Sequence, residues 1–191
     1  MKSVRWSVRD RNTSCPPGCT VISGNALDKN SFASQIAPAD TFVQLVGVTH
    51  PNPAKKDEFR AIDLGSAKAA IEAAREAGIK NFVYVGVAQP TPIMKFYIEV
   101  RAESEKMVRQ SGLSATILRP WYVLGPGRRW PLILKPIYWL MEQIPSTRES
   151  AQRLGLITLE QVVAALTYSI ENPPEGMRTL SVPEIRSKVT R

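Results

Sequence analysis

The chain has 191 residues, with 25 lysines and arginines against 17 aspartates and glutamates (a formal charge of +8), and is 43% hydrophobic and 22% charged. That composition belongs to a single globular domain, long enough to bury a core without disulfides or metals and too short for two independent enzymes. The longest apolar stretch, Pro131 to Met141, is broken by Lys135 and Pro136, well short of the roughly 20 residues of a membrane span, and residues 1–9 have no apolar core, so a cytoplasmic protein is expected.

From Ser3 to Val8, Val4, Trp6 and Val8 alternate with Ser3, Arg5 and Ser7, the period-2 pattern of a half-buried strand. A second strand fits Thr20 to Ser23, closed by Gly24. Phe42 to Val48 is nearly continuous apolar sequence ended by Thr49-His50-Pro51-Asn52-Pro53, as a strand buried on both faces would be, and Asn81 to Val87 repeats that pattern. Between them Ala67, Ala70, Ile71 and Ala74 recur at helical spacing, with Lys68, Glu72, Arg75 and Glu76 in the other positions and Gly78 as the stop. A second helix runs from about Met94 to Gln110, stopped by Gly112, and leads into the strand Ala115 to Arg119. Strands alternating with crossover helices predict an α/β fold built on a doubly wound parallel sheet. From Trp121 the pattern changes to Gly125-Pro-Gly127, Arg128-Arg129 and a run containing Trp130, Tyr138 and Trp139, which predicts a small lobe over residues 121–191 within a single domain. A helix over Leu159 to Ile170 and a short strand around Thr179 to Val182 close the chain.

Cys15 and Cys19 flank a Pro-Pro-Gly turn and the chain has one histidine, His50, so the cysteines read as loop residues and metal catalysis is not expected. The basic excess is scattered over Lys2, Arg5, Arg9, Arg11, Arg128, Arg129, Arg178, Arg186, Lys188 and Arg191, without the single charged face expected of a nucleic-acid binder.

Four segments stand in order along the chain: Gly24-Asn-Ala-Leu-Asp28; Gly78-Ile-Lys-Asn-Phe-Val-Tyr-Val-Gly86; Tyr97-Ile-Glu-Val-Arg101 followed by Glu105; and Leu118-Arg119-Pro120 with Gly125-Pro-Gly127. Together they resemble the atypical short-chain dehydrogenase/reductases, in particular the NmrA-like and epimerase-like NAD(P)-binding Rossmann proteins. The resemblance implies NADP or NAD as cofactor and an oxidoreductase or epimerase-like activity on a small carbonyl or hydroxyl compound. It implies Tyr97 as the acid/base, with Arg101 in the place of the family's lysine, and Gly86 where the family carries a serine. Arg9 would meet a 2′-phosphate, Asn25 and Asp28 the adenine edge, and Gly47 would let the backbone approach the cofactor. Pro120 and the Gly125-Pro-Gly127 turn would shape the loop over the nicotinamide.

Each role has a plainer alternative. Tyr97 and Arg101 pack a helix, with Glu105 pairing Arg101 on the same face; Asp28 is an N-cap; Gly47 relieves crowding; Arg9 is a solvated strand end; and the aromatics fill the lobe core, line a substrate pocket or meet a partner. The family's opening strand and its Gly-x-x-Gly-x-x-Gly turn, which cradles the pyrophosphate, are absent from the sequence, and the expectation is a shortened gene product or a late start rather than a rebuilt cradle. The alternative function is a non-catalytic nucleotide-binding sensor, assembly factor or structural subunit, with a protein partner or homodimer left open.

Overall fold

The computed structural model describes residues 3–7, 18–48, 51–91, 93–125, 143 and 153–189. Three parallel sheets are formed among them. Strands β1 (Ser3–Ser7) and β2 (Cys19–Ser23) pair with each other. The main sheet has the order β3-β4-β5-β8, from β3 (Thr41–Gln44), β4 (Asn81–Val85), β5 (Ala115–Leu118) and β8 (Met177–Leu180). A two-stranded annex pairs β6 (Tyr122–Leu124) with β7 (Leu156–Thr158).

The main sheet is covered on both faces, as the apolar runs of its strands require. Helix α1 (Lys56–Glu58) runs into a π-helical segment, Phe59–Leu64, and on into α2 (Gly65–Glu76). With α3 (Lys95–Gln110) these cover one face, where Ala67, Ala70, Ile71 and Ala74 pack on Phe82, Tyr84, Ala115, Ile117 and Val108. Helix α4 (Leu159–Glu171) and helix α5 (Val182–Arg186) cover the other, where Val162, Ala165, Val182 and Ile185 meet Val83, Leu118, Ile157 and Leu180. The alternation within β4 and β5 sends neighbouring residues to opposite cores. Both glycines read as helix stops take left-handed backbone, Gly78 at φ 66° and Gly112 at φ 79°.

Three local expectations change. The apolar runs outlast their strands: pairing stops at Gln44 and Val85, and Leu45 to Val48 and Gly86 to Ala88 continue as loop at the carboxyl edge. The final strand ends at Leu180, because Ser181 and Glu184 close a capping box and Pro183 stands in the first turn, so Val182 starts α5. Cys19 opens β2 rather than lying in a loop.

Candidate functional site

The carboxyl edge of a parallel sheet gathers strand ends and helix N-termini, and open α/β folds place their ligands there. At this edge the loops after β3 and β4 meet the first half of α3. A small core of Val48, Phe59 and Val100, with Ile62, Met94, Phe96 and Tyr97 packed on it, fixes their separation.

Arg101 lies at the centre, 8% exposed. Its Nε–H donates to the Tyr97 hydroxyl at 3.2 Å, and Nη1 donates to the Tyr84 hydroxyl and to the Val85 carbonyl, each at 3.2 Å. Nη2 lies 2.6 Å from Asp63 Oδ1, an ion pair without an aligned N–H, since Oδ1 accepts no hydrogen bond. Asp63 Oδ2 accepts the Val48 N–H at 3.2 Å. Burial pushes the Asp63 carboxyl up from its ordinary range, opposed by Arg101 and the Val48 N–H. Desolvation works against the Arg101 charge, but the Tyr84, Tyr97 and Asp63 oxygens outweigh it and hold the guanidinium more firmly protonated than a free arginine. Burial pushes the Tyr84 phenol up, so it stays neutral. The Tyr97 ring lies 4.9 Å from Phe59, and the side chain is half-buried.

Glu105 does not pair with Arg101. One turn further along α3, its buried carboxylate takes a forked contact from Arg119 at the end of β5: Nε at 3.2 and 3.1 Å from the two oxygens and Nη2 at 2.6 Å from Oε2. The reason is geometric. Arg101 turns toward β3, where Asp63 is already buried, leaving Glu105 to the next strand over. The pair also accounts for Gly86, since a Cβ there would stand 2.6 Å from Glu105 Oε1.

Gly47 serves the same network. A Cβ on it would overlap Arg101 Nη2 and stand 2.9 Å from Asp63 Oδ1, so a close approach does require glycine, and the group that approaches is Arg101. Asn25 and Asp28 lie apart from this cluster on the exposed loop after β2. Asn25 Oδ1 accepts the Leu27 N–H, and Asp28 caps the 3-10 turn Lys29–Ser31 by accepting the Asn30 N–H at 3.0 Å. Pro120 is buried, its carbonyl accepting the Ala88 N–H at 2.9 Å, which ties the loop after β4 to the end of β5. Gly125 closes the annex strand, while Arg9, His50, Cys15, Pro126, Gly127, Trp130, Tyr138 and Trp139 lie outside the described residues. Sequence reasoning misses Asp63, although it stands four residues ahead of Ala67 on the stripe that Ala67, Ala70 and Ala74 continue. An acid on an apolar stripe is the available signal.

Among the described residues no group of three histidines, cysteines, aspartates or glutamates is placed to hold a metal, and no helix is long and apolar enough to cross a membrane. A dinucleotide fits this edge in part. Tyr97 presents a half-buried side chain there, and Asn25–Asp28 is an exposed loop. The gap beside Gly47, by contrast, is filled by the chain's own guanidinium, whose nitrogens are already committed.

A family model described as NAD(P)H-binding matches residues 3–129. A ceramide reductase of Caulobacter vibrioides is 27% identical over 161 residues, 84% of this chain and 50% of the relative, so the chain spans about half the length of that curated protein. Among solved structures, MoeE5 in complex with UDP-glucose and NAD superposes with a TM-score of 0.68 at 19% identity, covering 98% of this chain and 73% of that one. A short-chain dehydrogenase/reductase superfamily protein from Agrobacterium tumefaciens with bound NAD gives a TM-score of 0.65 at 15% identity, covering 93% and 69%. At these identities the likeness is one of fold, Rossmann-like α/β.

Proposed function

We propose that this chain, which belongs to the NAD(P)H-binding family, is a cytoplasmic oxidoreductase or epimerase-like enzyme acting on a small carbonyl or hydroxyl compound. The observation that carries this reading is the Tyr97 hydroxyl. Its oxygen accepts from Arg101 Nε–H, which leaves its own proton free to be donated, and the ring is half-exposed at the carboxyl edge of the sheet. Tyr97 is the acid/base and Arg101 its cationic partner, whose Nε–H orients the phenol through its oxygen. Arg101 is a poor grip for a ribose, with three hydrogen bonds and an ion pair already made.

The dinucleotide, when bound, supplies or takes up hydride. In this chain Asn25 and Asp28 would hold its adenine end, Pro120 would shape the loop over the nicotinamide, and Arg9 would meet a 2′-phosphate, while Gly47 serves the site by giving room to Arg101. Residues 121–191 would supply the substrate side. The relative named a ceramide reductase supports the reductive direction.

Titration of the purified chain with NADPH and then NADH, followed by quenching of its four tryptophans, tests the reading. Saturable micromolar binding is expected, with NADPH preferred if Arg9 reads the phosphate. A folded sample that binds neither overturns it. Against a panel of small aldehydes and ketones, Tyr97→Phe should keep dinucleotide binding and lose cofactor-dependent turnover, and unchanged turnover removes Tyr97 from the mechanism.

One observation favours a second reading, a non-catalytic nucleotide-binding sensor, assembly factor or subunit. The Glu105 carboxylate occupies the space a side chain at position 86 would need, so no hydroxyl from that position can orient a substrate. Tight binding with no turnover on any carbonyl would select it.

A further inference from the structure

Asp63 has no part in that mechanism, yet its side chain is fully buried against Arg101, the residue that holds the Tyr97 hydroxyl. A carboxylate so enclosed persists only when its charge is answered, and a buried pair broken on one side leaves the other charge exposed to low dielectric. The π-helical segment brings it there: Phe59 and Asp63 are the two buried residues of Phe59–Leu64, one against the Tyr97 ring and the other against Arg101. Such irregular turns recur where a side chain must be re-aimed.

Charged and titratable groups face Tyr97 from each element packed around it. From α3 itself come Arg101 and, a turn on, Glu105, whose charge is taken up by Arg119, the residue after β5. From β4 comes the Tyr84 hydroxyl, which burial keeps neutral. From α1, Lys56 lies over the Phe96 ring, 6.0 Å from its centroid. From the π segment comes Asp63. Glu105 and Arg119 cancel each other, so among the described residues Asp63 is the carboxylate that balances the Arg101 charge.

We propose that Asp63 is the positioning residue of this site: it anchors Arg101 across Gly47 so that Nε–H meets the Tyr97 oxygen, and it cancels the guanidinium charge so that the Tyr97 hydroxyl keeps its proton for donation. The pair therefore presents Tyr97 with a fixed hydrogen-bond donor and little net charge, unlike a lone cation, which would draw the phenol toward its anion. This rests on the reading of Tyr97 as the acid, but the property belongs to the chain without cofactor and is measured there.

The test is the titration of Tyr97 in the whole chain labelled with 13Cζ-tyrosine, its resonance identified by its loss in Tyr97→Phe. In Asp63→Asn the guanidinium loses its counter-charge, and the Tyr97 midpoint should fall by about one pH unit or more, the scale on which one nearby charge moves an ionisation. A midpoint that stays or rises, with far-UV circular dichroism preserved, overturns the proposal. Should that variant fail to fold, the double variant Asp63→Asn/Arg101→Gln removes both charges and leaves amides in their place. Its midpoint should lie within about half a pH unit of the natural chain, whereas a rise of about one unit or more would mark Arg101 as an uncompensated cation and also overturn it. A merely structural Asp63 would alter stability without lowering the midpoint. The same samples titrated with NADPH separate the two ideas, since loss of binding by the natural chain speaks against the oxidoreductase reading and leaves the tyrosine midpoints to decide this one.

Discussion

Gly47 and Gly86 are the residues on which the site's interior charges depend. Each leaves room for a pinned side chain: Arg101 Nη2 and Asp63 Oδ1 above Gly47, Glu105 Oε1 above Gly86. Neither neighbour can give way, because Arg101 is tied to four groups and Glu105 is held by a forked arginine. Gly47→Ala and Gly86→Ser should therefore each destabilise the chain by about 1–3 kcal/mol, read as a lower urea midpoint. Gly65→Ala is the contrast. Gly65 has helical backbone at φ −59°, and a Cβ there would meet only Leu27 Cδ2 at 3.4 Å, so that substitution should stabilise by about 0.4–1 kcal/mol. A Gly86→Ser chain as stable as its parent would mean that Glu105 is free to move.

At the scale of the element, α4 shows how a helix start is fixed by a few side chains. Thr158 accepts the Gln161 N–H at 3.3 Å while the Gln161 side chain accepts the Thr158 N–H at 2.9 Å, a reciprocal capping box. Thr158→Ala should cost about 0.5–2 kcal/mol in urea denaturation at neutral pH. Glu160, in the same first turn, has its carboxyl held below the ordinary value of 4.5 by its own backbone N–H and then by the Thr158 hydroxyl. A carboxyl lowered in the folded state stabilises above its unfolded value, and that contribution is lost as pH falls through the lower folded one. The gap between the natural chain and Thr158→Ala should accordingly narrow as the pH is taken below 4.5. The α2 region shows the opposite case. The Ala67–Ala74 stripe is readable from its 3.6-residue period, and Asp63 stands in step with it four residues before Ala67, but it lies in a π-helical segment through which the helix extends back and which no cap marks in the sequence.

At the scale of the molecule, a sheet covered on both faces has two cores, and a single strand feeds both. Ile117 and Leu118 are neighbours in β5, both fully buried, one packed under α2 and α3 and the other under α4 and α5. Ile117→Ala and Leu118→Ala should each cost about 2–5 kcal/mol in chemical denaturation, and a near-neutral result for either would mean that its helix layer is loosely packed. The parallel α/β architecture is legible in the amino-acid order, because runs such as Asn81 to Val87 and the Ala67 stripe record burial locally, and local burial follows from periodicity. Tyr97 and Arg101 are legible as one helix face for the same reason, since i and i+4 are neighbours on any helix. Their partners are not. Asp63 and Arg101 are separated by α2, β4 and the opening turns of α3, Gly47 and the guanidinium it accommodates by still more, and Glu105 faces two arginines in sequence terms, Arg101 at one turn and Arg119 just past the next strand. Sequence by itself determined which faces are apolar and which residues share them; only the tertiary structure decided which buried charge meets which, because that pairing depends on distances between strands that no period in the chain encodes.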